Sequence, residues 1–155
     1  MRTFLHGKIL SSRVYPEFFP LDAKDAVLFA GCGEGAQMLA YGDIGLRLVC
    51  ADVQKDRVGK ALQYANEAGI KNIEGVVANL ESLPFANDAF DRIIAVDVVQ
   101  HVEKPQKVLA EFRRVLKPGG ELLITFPALL HYWLTKISRW KHREEKRRSS
   151  GWDPD

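Results

Sequence analysis

The glycines at alternate positions 31, 33 and 35 follow directly after a short apolar run, and the acid Asp52 ends the next apolar run. Glycines at the end of a buried strand let the backbone turn sharply and let a ligand approach the main chain without meeting a Cβ. Asp52 follows Gly31 by roughly 20 residues, the spacing at which a carboxylate reaches ribose hydroxyls in a nucleotide-binding βαβ unit. The pattern predicts a site for a ribonucleoside cofactor.

The glycines alone leave the identity of the cofactor open, because Gly31, Gly33 and Ala36 also satisfy the spacing of a dinucleotide-binding turn. Glu34 favours a ligand without phosphate, since a carboxylate in the turn would repel a pyrophosphate. S-adenosylmethionine carries a sulfonium and an ammonium beside one carboxylate, and it suits an acidic turn better. An NAD-dependent oxidoreductase is the less favoured alternative, and a glycine turn without a ligand is a third.

Further motifs follow along the chain in the order Leu83-Pro84-Phe85, Phe90-Asp91 and Leu116-Lys117-Pro118-Gly119-Gly120. Together with the glycine turn and Asp52, they resemble the class I S-adenosylmethionine-dependent methyltransferases, in particular the small-molecule branch similar to the ubiquinone/menaquinone-biosynthesis enzymes. The resemblance covers residues 26–127. It implies methyl transfer from S-adenosylmethionine to a small acceptor, with S-adenosylhomocysteine as the product. The acceptors that it implies include lipophilic molecules. A non-catalytic or truncated cofactor-binding module is the alternative.

The resemblance also implies which residues contact the cofactor: Ala30, Gly31, Cys32, Gly33, Gly35, Asp52, Val53, Asn79, Leu80 and Asp97. Asp52 would accept both ribose hydroxyls, and an N-cap of the following helix is its alternative role. Asn79 stands where the family usually has an aspartate that contacts the adenine amino group, and an amide oxygen can accept that bond too. Phe29 stands where many relatives carry an acid, so either Glu34 or Asp97 substitutes at the methionine end or the methionine moiety is held less tightly, and a lost cofactor site is the alternative.

His101 and Asp97 are the candidate catalytic residues, because residues 97–102 resemble the family's Asp/Asn-x-x-x-His-Val pattern. His101 would act as a general base, and a structural role in the backbone of the turn is the alternative. Methyl transfer from a sulfonium depends mainly on alignment and exclusion of water, so the sequence identifies the cofactor site more clearly than the catalytic groups. We expect no metal site, since the histidines lack metal-ligand spacing with Cys32 or Cys50.

Apolar runs alternate with amphipathic stretches, and this alternation predicts strands 26–30, 47–51, 73–77, 91–96 and 121–126 and helices 36–42, 54–68 and 105–116. It implies an α/β fold, a doubly wound Rossmann-like parallel sheet of order 3-2-1-4-5 with the cofactor beside the first strand. The N-terminal arm, residues 1–25, shows no regular spacing of apolar residues. It is expected to form a short helix or an irregular segment near the opening of the cofactor site.

Residues 128–155 are expected to form a basic amphipathic helix over 128–148 and a C-terminal loop. The family normally adds a helix and an antiparallel strand pair after the fifth strand, and no strand-like segment follows here. We therefore expect this pair to be missing, as in a truncated protein. Packing of the helix on the sheet is the simpler interpretation, and a peripheral contact with an anionic membrane or a protein is the alternative.

Composition agrees with a cytoplasmic protein of 155 residues that forms one compact domain. The two cysteines are expected to be reduced thiols. The sequence shows no signal peptide and no apolar run of the ~20 residues that cross a bilayer. A net charge of +2 gives no argument for nucleic acid, so a small-molecule substrate is the expected partner, and the oligomeric state is left open.

Overall fold

The computed structural model describes residues 3–5, 8–10, 16–42, 44 and 47–126. Its elements in chain order are β1 (Thr3–Leu5), β2 (Lys8–Leu10), β3 (Ala26–Ala30), α1 (Ala36–Tyr41), β4 (Arg47–Asp52), α2 (Lys55–Glu67), β5 (Ile73–Val77), β6 (Phe90–Val96), α3 (Pro105–Val115) and β7 (Leu116–Thr125). A 3₁₀ turn over Val99–His101 lies between β6 and α3.

Strands β3 to β7 form one parallel sheet in the spatial order β5-β4-β3-β6-β7. Numbered from its first strand, this sheet has the order 3-2-1-4-5, so the predicted α/β fold is confirmed. Strand β3 is the switch point, because the chain moves to β4 on one side and returns to β6 on the other. Ligands of such sheets bind outside the carboxyl ends of the strands at that point.

The central strand β3 is buried along its whole length and separates two apolar clusters. Leu28 and Ala30 belong to the cluster that includes residues of α3, whereas Val27 and Phe29 belong to the cluster that includes α1 and α2. This alternation follows from the two-residue period of a strand, which points successive side chains to opposite faces. Phe29 is only 1% exposed and lies 6.0 Å from Tyr41 between ring centroids.

The last strand was predicted over 121–126, but β7 also includes the segment Lys117–Gly120. The pairing of β6 with β7 shifts there, since Phe90 pairs with Leu116 while Arg92 pairs with Glu121. The irregularity lies at the amino ends of the strands, where Oδ2 of Asp91 accepts a bond from Lys117 Nζ at 2.8 Å and one from the Ala26 N–H, also at 2.8 Å. Asp91 is therefore a structural residue at the amino ends of the strands, away from the carboxyl ends where ligands bind.

The N-terminal arm differs from the expectation of a helix or an irregular segment, because β1 and β2 pair antiparallel in a short hairpin. Further along, Phe19 packs against the cluster that includes α1 and α2, and its carbonyl accepts a bond from Tyr41 Oη at 2.8 Å. The predicted helix 128–148, the loop after it and the expected lack of an antiparallel strand pair lie outside the described residues. In the part of the chain that the structure describes, no helix has the length and apolar character to cross a membrane.

Candidate functional site

An open cleft of about 650 Å³ lies at the carboxyl ends of β3, β4, β5 and β6. Ligand pockets generally enclose ~300–1,000 Å³, so the cleft has room for a nucleoside-sized cofactor. Its position is the one predicted from the switch point of the sheet. The predicted site residues that line it are Gly31, Asp52, Val53, Asn79, Leu80, Asp97 and His101.

The carboxylate of Asp52 is held in place by backbone donors on both of its oxygens. Oδ2 accepts the Gly33 N–H at 3.0 Å, and Oδ1 accepts the Gln54 N–H at 2.9 Å. Each carboxylate oxygen has a further lone pair, so two acceptor positions are available to hydroxyl donors of a ligand. The alternative role of a helix cap is not observed, because the N-cap residue of α2 is Gln54 and the helix start has no side-chain cap bond.

The three glycines of the turn all have left-handed backbone angles, with φ of +64°, +54° and +89°. A Cβ on Gly31 would stand 2.1 Å from Val98 Cγ2, and one on Gly35 would stand 2.6 Å from Met38 Cε. These two glycines therefore permit close packing within the protein. A Cβ on Gly33 would stand 3.9 Å from a guanidinium nitrogen of Arg57, which is an ordinary van der Waals contact. The positive φ, and not close packing, is therefore what favours glycine at position 33.

Four of the predicted cofactor residues, Ala30, Cys32, Gly33 and Gly35, are not among those that line the cleft. Ala30 is 2% exposed and pairs with Ala51 inside the sheet. The Cys32 N–H donates to the Ala51 carbonyl at 3.0 Å, and its side chain packs into the cluster that contains Cys50. Hydrogen bonding to the Cys50 thiol and burial raise the pKa of the Cys32 thiol, so this thiol stays protonated. Position in the turn predicted these residues, but the side chains of Ala30 and Cys32 pack inside the protein.

Glu34 also differs from its expected role, because its carboxylate forms an ion pair with Lys60 at 2.9 Å and does not line the cleft. Its charge is therefore partly neutralised, and the argument from Glu34 against a pyrophosphate loses weight. Of the two acids expected to substitute at position 29, only Asp97 lines the cleft. Asp97 has φ +52°, and its Oδ1 accepts a bond from Thr125 Oγ1 at 3.0 Å. Its Oδ2 has no hydrogen-bond partner among the described residues.

The candidate base His101 is exposed and ends the 3₁₀ turn at the cleft. Its backbone N–H donates to the Val98 carbonyl at 2.9 Å, and its ring Nε2 lies 3.4 Å from Gln100 Nε2. No carboxylate orients the ring within the described part of the chain. The bond to Val98 does not involve the imidazole ring, so the catalytic role and the structural alternative both stay predictions.

The Asn79 side chain also forms a hydrogen bond within its own turn, since its Oδ1 accepts the N–H of Glu81 at 2.9 Å. The amide oxygen keeps a second lone pair for the adenine amino group, so that contact also stays a prediction. Leu80 beside it is 6% exposed and anchors this loop in the core.

The structure adds residues that sequence patterns did not indicate. Gln54, Arg57, Glu81, Val98 and Glu103 also line the cleft. Gln54 and Arg57 lie just after Asp52, and a search of the first turn after the strand would have found them. No group of three or more His, Cys, Asp or Glu side chains in the described part of the chain is placed to hold a metal ion.

A second missed feature fixes the loop between β5 and β6, which supplies Asn79 and Leu80. Arg114 on α3 donates to the carbonyl of Phe85 at 2.7 Å and to that of Leu83 at 3.0 Å. Its ion-pair partner Glu111, at 2.7 Å, accepts the Leu83 N–H, also at 2.7 Å. The pair thus holds the loop against α3. The hydrogen bond from Arg114 to Glu111 and the one from the Leu83 N–H lower the pKa of Glu111.

Comparison with known proteins shows which family this chain is similar to. A family model described as a methyltransferase domain matches residues 28–124. The uncharacterized methyltransferase YcgJ of Bacillus subtilis (strain 168) is 33% identical over 102 residues, which are 66% of this chain and 40% of that protein. The crystal structure of YcgJ superposes with a TM-score of 0.65 at 32% identity, covering 68% of this chain and 45% of that chain.

Two further relatives carry functional names. The demethylmenaquinone methyltransferase of Renibacterium salmoninarum is 33% identical over 100 residues, covering 63% of this chain and 39% of that protein. The ubiquinone/menaquinone biosynthesis C-methyltransferase UbiE of Marinomonas sp. (strain MWYL1) is 39% identical over 80 residues, covering 50% and 32%. The chain spans less than half the length of these relatives.

Proposed function

This chain belongs to the S-adenosylmethionine-dependent methyltransferases, and we propose that it transfers the methyl group of that cofactor to a small, lipophilic acceptor. The observation that carries this proposal is the unit formed by Asp52 and Gly33. The carboxylate lines the cleft with two free acceptor positions and is held by the Gly33 N–H of the glycine turn. A ribose that donates two hydroxyl protons fits this arrangement. The residues present therefore fit the family's cofactor.

S-adenosylmethionine, when bound, supplies a methyl group that a positively charged sulfur has already activated. The task of the protein is then to bind, orient and exclude water. Asp52 holds the ribose, and Asp97 places negative charge at the end of β6, where the ammonium group of the cofactor would lie. Val98 and Val102 form an apolar part of the cleft wall beside His101. His101 would accept a proton from the acceptor as the methyl group is transferred.

The names of the relatives support a lipophilic acceptor, since two of them are quinone-biosynthesis methyltransferases. The test is release of S-adenosylhomocysteine from S-adenosylmethionine with a panel of acceptors, in which quinols and sterols in detergent are compared with peptides and RNA. We expect turnover with a lipophilic acceptor and none with Asp52→Asn at the same cofactor concentration. Preferential methylation of peptide or RNA would contradict the acceptor class.

A second candidate function, a binding module without turnover, is favoured by one specific observation. Phe29, at the position where many relatives carry an acid, is buried on the face of α1 and α2 and contributes nothing to the cleft. A chain that binds S-adenosylhomocysteine but releases none from S-adenosylmethionine with any acceptor would favour this candidate over the enzyme.

We propose further that the protein acts in the cytoplasm on a small molecule and not on nucleic acid. The free thiols Cys32 and Cys50 support a reducing compartment. A peripheral contact with a membrane or a protein through residues 128–148 is also a proposal, supported by their basic and apolar sequence. A blue shift of tryptophan fluorescence with anionic but not neutral vesicles, reversed by salt, would support the membrane contact. Fluorescence unchanged by anionic vesicles would contradict it.

A further inference from the structure

Arg57, in the first turn of α2, lines the cleft beside the glycine turn. One of its guanidinium nitrogens lies 3.9 Å from the position of a Cβ on Gly33, which is an ordinary van der Waals contact. The guanidinium therefore lies against the turn, and Arg57 lines the same cleft as Asp52 and Gln54.

The Arg57 side chain has no ion-pair or hydrogen-bond partner among the described residues. Other arginines of the same domain are paired, such as Arg47 with Glu74 at 2.9 Å and Arg92 with Asp25 at 3.2 Å. Arg57 is also the one lysine or arginine among the described residues that line the cleft. A planar group with several N–H donors is therefore directed at the ligand position without being engaged by the protein.

The chemistry of Asp52 determines what those donors would meet. An ionised carboxylate only accepts hydrogen bonds, so the ribose hydroxyls must donate their protons to it. Each hydroxyl oxygen then has lone pairs left for a donor from another side. We propose that Arg57 is a cofactor-binding residue that donates hydrogen bonds to the ribose hydroxyl oxygens whose protons Asp52 accepts. The inference rests on the ribonucleoside cofactor of the proposed function and adds a specific residue to its site.

The position of Arg57 favours the ribose over the carboxylate of the cofactor. Gly33, which the guanidinium faces, is the residue whose N–H bonds to Oδ2 of Asp52. Asp97, which we place at the amino-acid end of the cofactor, follows β6 on the other side of β3 in the sheet. Arg57 and Asp52 therefore line the β4 side of the cleft and Asp97 lines its β6 side, so the ribose held by Asp52 is the part of the cofactor expected on the side of Arg57.

The experiment measures binding by calorimetry with two ligands, S-adenosylhomocysteine and 5′-methylthioadenosine. Both contain the ribose, but only the first contains the amino-acid carboxylate. The variants are Arg57→Met, Arg57→Lys and the control Lys55→Met, which removes a charge from the same helix turn outside the cleft. We expect Arg57→Met to weaken both ligands about 10-fold, as for loss of a hydrogen bond from a charged group. Arg57→Lys should recover only part of this loss, and Lys55→Met should bind both ligands as the wild type does.

Each other outcome overturns the inference in a distinct way. A loss confined to S-adenosylhomocysteine would assign Arg57 to the carboxylate, and unchanged binding of both ligands would show that Arg57 makes no contact. An equal loss of affinity in Lys55→Met would show that removing any positive charge from this helix turn weakens binding, without a contact from Arg57. Failure of the wild-type chain to bind either ligand would overturn the cofactor assignment itself, and the inference with it.

Discussion

The backbone N–H of Gly33 donates a 3.0 Å hydrogen bond to Oδ2 of Asp52, which joins the turn after β3 to the acid at the end of β4. The N–H of Cys32 donates to the Ala51 carbonyl at 3.0 Å and ties the same two segments together. Because neighbouring parallel strands fix this geometry, the Asp52 carboxylate is held in place in the absence of a ligand. Preorganised groups of this kind bind without further ordering of the protein.

Replacement of Asp52 by asparagine tests the acceptor role. Asp52→Asn keeps the shape of the side chain but removes its charge and one of its acceptor oxygens. We expect about 10- to 100-fold weaker binding of S-adenosylhomocysteine by calorimetry, since hydrogen bonds to a charged group contribute ~1.5–3 kcal/mol each. Asp56→Asn, at an exposed acid in the first turn of α2, is the matched control and should bind normally. Normal affinity in a folded Asp52→Asn variant would show that Asp52 does not contact the ligand.

Replacement of Gly33 by valine tests whether the turn is the binding surface. A β-branched side chain at φ +54° is strained, and its methyl groups would press on the Arg57 guanidinium, which lies 3.9 Å from the Cβ position. We expect loss of measurable binding while circular dichroism still shows the folded domain. Gly59→Ala is the control, because Gly59 lies in α2 with open space around it. If Gly33→Val binds S-adenosylhomocysteine as the wild type does, the cofactor does not lie on this turn.

The pair of Arg114 and Glu111 is expected to position the loop that carries Asn79 and Leu80. Arg114→Met frees the carbonyls of Leu83 and Phe85, so the loop becomes less ordered. We expect a lower Tm and about fivefold weaker cofactor binding, which corresponds to a coupling of roughly 1 kcal/mol. Arg113→Met, at the exposed neighbouring position, is the control for charge. Full affinity together with a lowered Tm would limit the pair to a role in stability.

The contact between Asp91 and Lys117 predicts a pH dependence of stability. Burial raises the pKa of Asp91, but the bonds from Lys117 and the Ala26 N–H outweigh burial and hold it below its usual value of 3.8. A lowered pKa in the folded state stabilises the protein above the unfolded pKa, and this contribution is lost as the pH falls through the folded value. Asp91→Asn should therefore lower the Tm at pH 7, and its difference from the wild type should shrink below about pH 4. A difference of equal size at pH 7 and pH 3 would contradict the ionic origin of the contact.

The sheet was predictable because it depends on local patterns. Apolar runs of strand length predicted β3 and β4, and the motifs that end them, Gly31 and Asp52, both line the cleft. The ribose role of Asp52 stays a prediction. Contacts between residues far apart in sequence were not predictable, and the ion pair of Glu34 with Lys60, which depends on how α2 lies beside the turn, weakened the argument from the acid in the turn.

The same physical reason explains the other features that the sequence did not reveal. The hydrogen bonds from Arg114 to the loop before β6 depend on the direction in which α3 packs. The direction of the Arg57 side chain depends on the path of the chain after Asp52. The hydrophobic period of a sequence predicts where a helix lies, but it does not predict which group a charged side chain on that helix contacts.

The most direct test of the cofactor site is calorimetric titration of the wild-type chain with S-adenosylhomocysteine and, under the same conditions, with NAD⁺. A site built from Asp52, the glycine turn and Arg57 should bind S-adenosylhomocysteine with one-to-one stoichiometry and more tightly than NAD⁺. Tighter binding of NAD⁺ than of S-adenosylhomocysteine would contradict it.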